Sequence, residues 1–383
     1  MRRIAGCCRF VFNRALALQN QRRDEGRKLM SSDELALLLV EWRRHPDSQW
    51  LADAPFGTQR QALRNLDQAF SRHASQLAQS PRFKKRGLSD SIRFSNLRDI
   101  RLDQVNSRVL LPKLGWVRYR NSRAVLGAAR SVTVSASGGD WFISLLAERN
   151  VARPVARGPA VGIDMGVVRF ATLSDGQFYS PLNSFRRHEI ALARAHRSVS
   201  RKRKYSNNWN KERAKVQRVY IRIANARRDY LHKISSTISK NHALVCIEDL
   251  KVSDMSKAET TRSGYVFSSA RAKRGLNKSI LDQAWFEFRR QLEYKLRWNG
   301  GRLIAVSPRN TSITCPGCRH VARENRRSQA EFECVRCGFK ENADLVGAVN
   351  VLRAGHARLA CAETSPAYGA MGQEPTDAFS QDH

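Results

Sequence analysis

Nowhere does the chain offer a run of about 18 apolar residues, and its first residues lack an apolar core. The expectation is therefore a protein that neither spans a membrane nor carries a secretory leader. Acidic residues are scarce too: 34 Asp and Glu face 68 Lys and Arg, for a formal charge of +34. A chain so short of negative charge is suited to a polyanionic partner, with nucleic acid the leading candidate. Cysteine offers no disulfide framework. Of eight, Cys7, Cys8, Cys246 and Cys361 are scattered, while Cys315, Cys318, Cys334 and Cys337 form two C-x-x-C pairs, which fits a reducing compartment and a metal. At 383 residues the chain can bury a sizeable core without staples and has room for two or three domains.

Residues 1–80 read as a helical module, with apolar residues at helical spacing in Phe10, Val11, Ala15 and Leu16 and again in Leu63, Leu66, Ala69 and Phe70. Over 81–150 the texture changes to short β-rich runs broken by Gly, Pro, Asn and Ser, which predicts a small sheet or barrel. After a linker at 150–159 come a strand at 160–164, a hairpin through Ser174, Asp175 and Gly176, and a long basic helical stretch to about Asn241. A strand at 243–250 follows, then a helix carrying Trp285, Phe288, Leu292 and Leu296, a strand at 301–306 and a last helix at 344–355. That order is the wiring of an RNase H-like α/β domain. The division expected is a helical module (1–80), a β-rich segment (81–150), the α/β domain (151–310) with a basic insertion (186–241), a cysteine ribbon (311–340) and the last α/β segment (341–360). Residues 361–383, which from Ala362 carry acids but no Lys or Arg, read as a disordered tail.

Three acids project from mainly apolar elements. Asp164 ends the run Val-Gly-Ile-Asp, Glu248 ends Leu-Val-Cys-Ile-Glu, and Asp344 opens a helix on the face of Ala348 and Val351. A carboxylate buried without a partner costs several kcal/mol, so something must compensate each. Hard divalent cations such as magnesium take oxygen ligands, and two of them about 3.5–4 Å apart clamp the attacking and leaving oxygens of a phosphodiester. Asp164 is expected to bridge two such ions, with Glu248 and Asp344 completing one side each, and water as nucleophile. The blander alternative is that each acid is a turn residue or the partner of a nearby arginine; three together in this element order favour the metal. Asp175 and Asp249 read as a turn residue and a solvated strand end.

Fifteen residues separate the pairs Cys315/Cys318 and Cys334/Cys337, the spacing of a tetrahedral four-thiolate zinc ribbon. Four thiolates leave no open position, so the zinc is structural. His320 reads as a surface residue. Cys337 lies seven residues before Asp344, so the metal also anchors the segment presenting the third acid. Between Arg186 and Lys233 sixteen Lys or Arg face three acids, densest at Arg201, Lys202, Arg203 and Lys204, with Tyr205, Trp209 and Tyr220 interleaved. Such a stretch can track a phosphate backbone while rings stack on bases; the alternative is a solvated helix face. Arg82, Lys84, Lys85 and Arg86 form a second basic cluster.

The segments 161–166 (Val-Gly-Ile-Asp-Met-Gly), 247–250 (Ile-Glu-Asp-Leu), 310–318 (Asn-Thr-Ser-Ile-Thr-Cys-Pro-Gly-Cys), 334–338 and 342–345 (Asn-Ala-Asp-Leu) together resemble TnpB, the OrfB proteins of bacterial insertion sequences, kin to the compact type V CRISPR nucleases. Residues 6–13 resemble that family's N-terminal helix and 200–204 its basic insertion. The resemblance implies a RuvC-type nuclease domain with an inserted zinc ribbon, preceded by a helical module and a small β-barrel-like segment. It implies an RNA-guided DNA endonuclease of the bacterial cytoplasm, at the nucleoid, working as one protomer with one guide RNA on double-stranded target DNA. Two Mg2+ ions, or Mn2+, would serve a single cutting site, and the N-terminal parts would hold the heteroduplex and read a short adjacent motif while base pairing supplies specificity. Two departures stand out. The family usually has a β-strand ahead of the segment at residue 6, so the barrel is expected to be a strand short. After the third acid it often has Asn-Ala-Ala, where this chain has Val346, Gly347 and Ala348. A strand-transferring transposase and a cleavage-deficient RNA-guided repressor are the alternative functions.

Overall fold

A computed structural model of the chain describes residues 1–383 except 88, 89, 97, 99, 153, 256–268 and 365–383. The chain forms two compact units, Met1–Val151 and Ala152–His383. No helix among the described residues is long and apolar enough to cross a membrane.

The first unit opens with three helices, α1 (Arg2–Asp24), α2 (Ser32–Arg44) and α3 (Phe56–Ala74), with a 3-10 turn at Pro46–Asp53. Ser31 and Glu34 form a reciprocal capping box that starts α2. Cys8, Val11, Phe12, Ala15 and Leu16 of α1 pack with Leu63 and Leu66 of α3 in one core. Next come β1 (Ser91–Phe94), β2 (Arg101–Asp103), β3 (Arg108–Leu111), β4 (Gly115–Arg118), β5 (Ala128–Ser137) and β6 (Asp140–Glu148). They form two antiparallel three-stranded sheets, β1-β5-β6 and β2-β3-β4. Where a small barrel was one expectation, neither sheet closes on itself among the described residues: each ends in edge strands with no further partner.

The second unit is built on a five-stranded sheet of β7 (Ala160–Asp164), β8 (Ala171–Leu173), β9 (Phe178–Tyr179), β10 (Leu244–Glu248) and β11 (Arg302–Val306), in the order β11-β10-β7-β8-β9. β7, β10 and β11 run parallel, and β8 and β9 turn back antiparallel. Between β9 and β10 lies a helical pair, α4 (Ser184–Ser200) and α5 (Asn207–Asn241); α6 (Val252–Met255), α7 (Ser269–Gln283) and α8 (Trp285–Trp298) precede β11. Val161, Ile163, Val245 and Ile247 on one sheet face share a core with Leu231, Ile234 and Ile238 of α5 and with Trp285, Phe288, Leu292 and Leu296 of α8. Helical spacing had marked those last four residues as a buried stripe, and all are at most 4% exposed.

The other sheet face is covered by α9 (Ala343–Thr364), which follows the short ribbon strands β12 (Glu331–Glu333) and β13 (Lys340–Asn342). A Cβ on Gly162 would stand 2.1 Å from the Ala348 carbonyl oxygen, and one on Gly355 would stand 2.1 Å from Cys246 Sγ. Only glycine lets this helix lie so close to the strands. The helix also runs past the expected end at Gly355 to Thr364, because the segment from Ala357 to Glu363 is rich in Ala, Leu, Arg and Glu, all good helix formers. Residues 361–364 are thus helical and not part of a tail; the rest of the expected tail lies outside the described residues.

Candidate functional site

Asp164 and Glu248 are the last residues of two neighbouring parallel strands. Ile163 is paired with Ile247, so the register brings Glu248 beside Asp164 at the carboxyl ends of the strands, where open α/β sheets bind ligands. Strand alternation points both carboxylates to the face that α9 covers. Asp344 arrives in the first turn of α9, and one turn further on a Cβ at Gly347 would lie 3.1 Å from Asp164 Cγ and Oδ2. With no side chain, Gly347 leaves room for the Asp164 carboxylate against the helix.

The electrostatics follow from this crowding. Burial, and then the charges of Glu248 and Asp344, push the Asp164 carboxyl up to about 7. Glu248, 8% exposed, is raised chiefly by burial and eased by the Thr311 hydroxyl, which donates to its Oε1 at 2.7 Å. Asp344 has one arginine at the edge of ion-pair range, Arg169 Nε at 3.9 Å. Arg169 also donates to Asn342 Oδ1 at 3.3 Å and lies over the Phe178 ring. Asn342 in turn accepts from the Asp344 N–H, capping α9. The Arg326 charge offsets the rise at Asp164 and Glu248 only in part, and three acids crowded this way are a set of oxygen donors whose charge a divalent cation would neutralise. They are not drawn as tight as the cysteines, however. Among the described residues, only Cys315, Cys318, Cys334 and Cys337 bring one ligand atom each within 4.8 Å of one another.

In the ribbon, Cys315 Sγ lies 3.7 Å from Cys337 Sγ, and Cys318 Sγ 3.5 Å from Cys334 Sγ. Sulfurs on a tetrahedral zinc with bonds of about 2.3 Å would be roughly 3.8 Å apart, so the four fit the ion. Desolvation works against ionisation of Cys334, yet the backbone N–H groups of Cys337 and Arg336, together with the Cys318 and Cys337 thiols, outweigh it and hold that thiol down to about 6. Arg319 and Gly338, in left-handed conformations, turn the chain behind each pair. The ribbon is braced against the acids as well. Cys315, Phe332 and Cys334 pack with Ala343 and Val346 of α9, and Asn350 Nδ2 donates to the carbonyls of Thr311 and Thr314 at 2.8 and 2.7 Å.

The basic stretch is a helical pair whose connecting turn, 201–206, exposes Arg201, Lys202, Arg203, Lys204 and Tyr205. The three acids of the stretch are taken by lysines: Glu189 by Lys278, Glu212 by Lys215 and Asp229 by Lys233. At the turn the Tyr205 and Trp209 rings lie 5.5 Å apart, with Lys204 over one and Arg213 over the other. Tyr220 packs instead against His196. In the second cluster Arg82, Lys85 and Arg86 are exposed. Lys84 is not free for phosphate: its backbone is bonded both ways to Asn13, and its ammonium sits 4.1 Å over the Phe12 ring. Asp249 pairs with Arg289, and Asp175 accepts from the Gln177 N–H in its turn.

Residues 1–28 match a family described as "Helix-turn-helix domain", 144–259 one described as "Probable transposase" (OrfB, IS605 type), and 285–351 one described as "Cas12f1-like, TNB domain". A relative from Escherichia coli K12, "Putative RNA-guided DNA endonuclease InsQ", is 50% identical over 378 residues, covering 98% of this chain and 94% of the relative. A Streptomyces pristinaespiralis protein, "Putative RNA-guided DNA endonuclease", is 32% identical, covering 94% and 87%. A Cas12f1 chain solved by cryo-EM with sgRNA and target DNA shares the fold at a TM-score of 0.50 and 14% identity, over 92% of this chain and 81% of that one.

Proposed function

The chain belongs to the OrfB family of insertion-sequence proteins, the TnpB group related to type V CRISPR effectors, and on that premise we propose that it is an RNA-guided DNA endonuclease cutting at Asp164, Glu248 and Asp344. Relatives named for that activity align with nearly the whole chain. The observation that carries the site assignment is Asp164, set at a strand end with Glu248 beside it and α9 above it, its carboxyl pushed well above the ordinary range by burial and by two acid neighbours. We read the second unit as a RuvC-like domain on its sheet order and on the helix that brings the third acid.

Asp164, between Glu248 and Asp344, would hold two divalent cations, magnesium or manganese. When bound, such ions supply the charge neutralisation that in-line phosphodiester hydrolysis requires. The chain's own part is to fix the acids: Thr311 holds Glu248, Asn342 holds the turn of Asp344, and Gly347 leaves Asp164 its place. Zinc on the four cysteines keeps the ribbon folded beneath α9 and takes no part in the cut. Guide RNA and target DNA are the partners. Arg201, Lys202, Arg203 and Lys204 would meet phosphates, with Tyr205 and Trp209 as a stacking pair, and Arg82, Lys85 and Arg86 would add contacts from the first unit.

Asp164→Ala tests the assignment. Magnesium-dependent cutting of a guide-matched DNA is expected to fall by about three orders of magnitude or more, while co-purifying RNA is retained; undiminished cutting would remove Asp164 from the site. The description of the matched family as a transposase favours strand transfer as the second reading, since the same acid arrangement serves it. Joined DNA products in the absence of RNA would favour that reading.

A further inference from the structure

Across the α9-covered face of the sheet the register lays down a lateral row. Glu248 of β10 lies beside Asp164 of β7, Asp164 is paired with Thr172 of β8, and Thr172 with Phe178 of β9. Asp164 therefore has an acid on one flank and a hydroxyl on the other. Thr172 is 2% exposed, and its Oγ1 has no hydrogen-bond partner among the described residues. Its strand neighbours Ala171 and Leu173 are fully buried and apolar. Valine would fill the same volume, suit a strand as well and leave nothing unpaired. A hydroxyl in such a place calls for an acceptor.

Along the row the candidates are few. Phe178 has no acceptor in its side chain, and Glu248 stands beyond Asp164 and already accepts from Thr311. Directly paired residues of antiparallel strands have Cβ atoms about 4.5–5.5 Å apart, within reach of a hydroxyl and a carboxylate. In the present arrangement the Asp164 carboxylate is turned toward Gly347. A carboxylate shared between cations must hold one orientation, and a donor on one of its lone pairs is the usual means of holding it.

We propose that Thr172 is a positioning residue for Asp164, its hydroxyl donating to the carboxylate and fixing it for divalent-cation binding. The inference rests on the reading of Asp164, Glu248 and Asp344 as a cation site. Thr172 touches neither the cation nor the DNA; it acts through Asp164.

The test is Mn2+ affinity of the full-length, zinc-loaded protein, measured by calorimetry and by the paramagnetic resonance of free Mn2+, with thermal melting alongside. Thr172→Val is expected to weaken Mn2+ binding about 10-fold or more without lowering the melting temperature, and Thr172→Ser to restore binding to within about 3-fold of the parent. Thr172→Val binding Mn2+ like the parent, while Asp164→Ala loses it, would overturn the assignment of Thr172 alone. Equal weakening in the Val and Ser variants would overturn it too, leaving Thr172 a packing role. Mn2+ binding untouched by Asp164→Ala would sink the cation-site reading itself, and the role of Thr172 with it.

Discussion

The second unit contains two groups of residues suited to metal, and they are assembled in opposite ways. The four cysteines come from one short stretch, and the ribbon gathers their sulfurs to contact distance. The three acids come from two strand ends and a helix start, from position 164 to position 344, and their gathering depends on strand register and on α9 docking over glycines. The cysteine group can form wherever its local turns form; the acid group exists only once the whole sheet is closed by α9. With zinc bound, the first would be a cause of folding, whereas the second is a product of it. The two are also linked, because the ribbon packs on the first turn of α9 and braces Glu248 through Thr311.

This contrast can be broken in three further ways. The largest effect is expected from removing the ribbon's metal. Structural zinc contributes on the order of 10 kcal/mol to the fold of its domain, so Cys315→Ser should lower both the melting temperature and cutting, whereas Asp164→Ala should lower cutting alone. A ribbon mutant with normal melting and normal cutting would show that the two groups are independent.

A smaller effect is expected from pH. The Asp164 carboxyl is raised from an ordinary value near 3.8 to about 7, so the folded chain holds a proton that the unfolded chain has released. That contribution is fully present below about pH 4 and is lost as pH rises through about 7. At about 1.4 kcal/mol per pH unit it amounts to at most about 4 kcal/mol. In magnesium-free buffer, denaturant unfolding should therefore show stability falling between pH 5 and pH 8, with a flatter profile for Asp164→Asn. Identical profiles would mean that the acids are not crowded.

The smallest effect is expected at Gly347. A methyl there would stand 3.1 Å from the Asp164 carboxylate, close enough to shift it by a few tenths of an ångström. Gly347→Ala should reduce cutting up to about 10-fold while melting stays within a degree or two of the parent; a fully active variant would mean that the carboxylate tolerates the displacement.

What could be read in the sequence follows the same division. The ribbon was legible because its information is local: two pairs at fixed spacing. The acids were legible as singular residues in apolar elements, and the buried stripe of Trp285, Phe288, Leu292 and Leu296 as a period. The residues around the acids were not. Thr172 and Arg169 reach the site through lateral pairing and turn geometry that no linear spacing encodes, and Thr311 through a loop; only Asn342, an N-cap type directly before a helix, left a local signal. Lys84 shows the converse failure, since a cation in a basic run looked free in sequence but is folded onto α1. The β-rich segment was legible as strands, but its division into two open sheets depends on pairing over distance.

The central claim is that Asp164, Glu248 and Asp344 form one cation site distinct from the ribbon. Anomalous scattering from crystals soaked in Mn2+ tests it most directly. The account predicts manganese density within bonding distance of all three carboxylates and zinc density at the four cysteines; manganese absent from the acids, or bound by one of them alone, would contradict it.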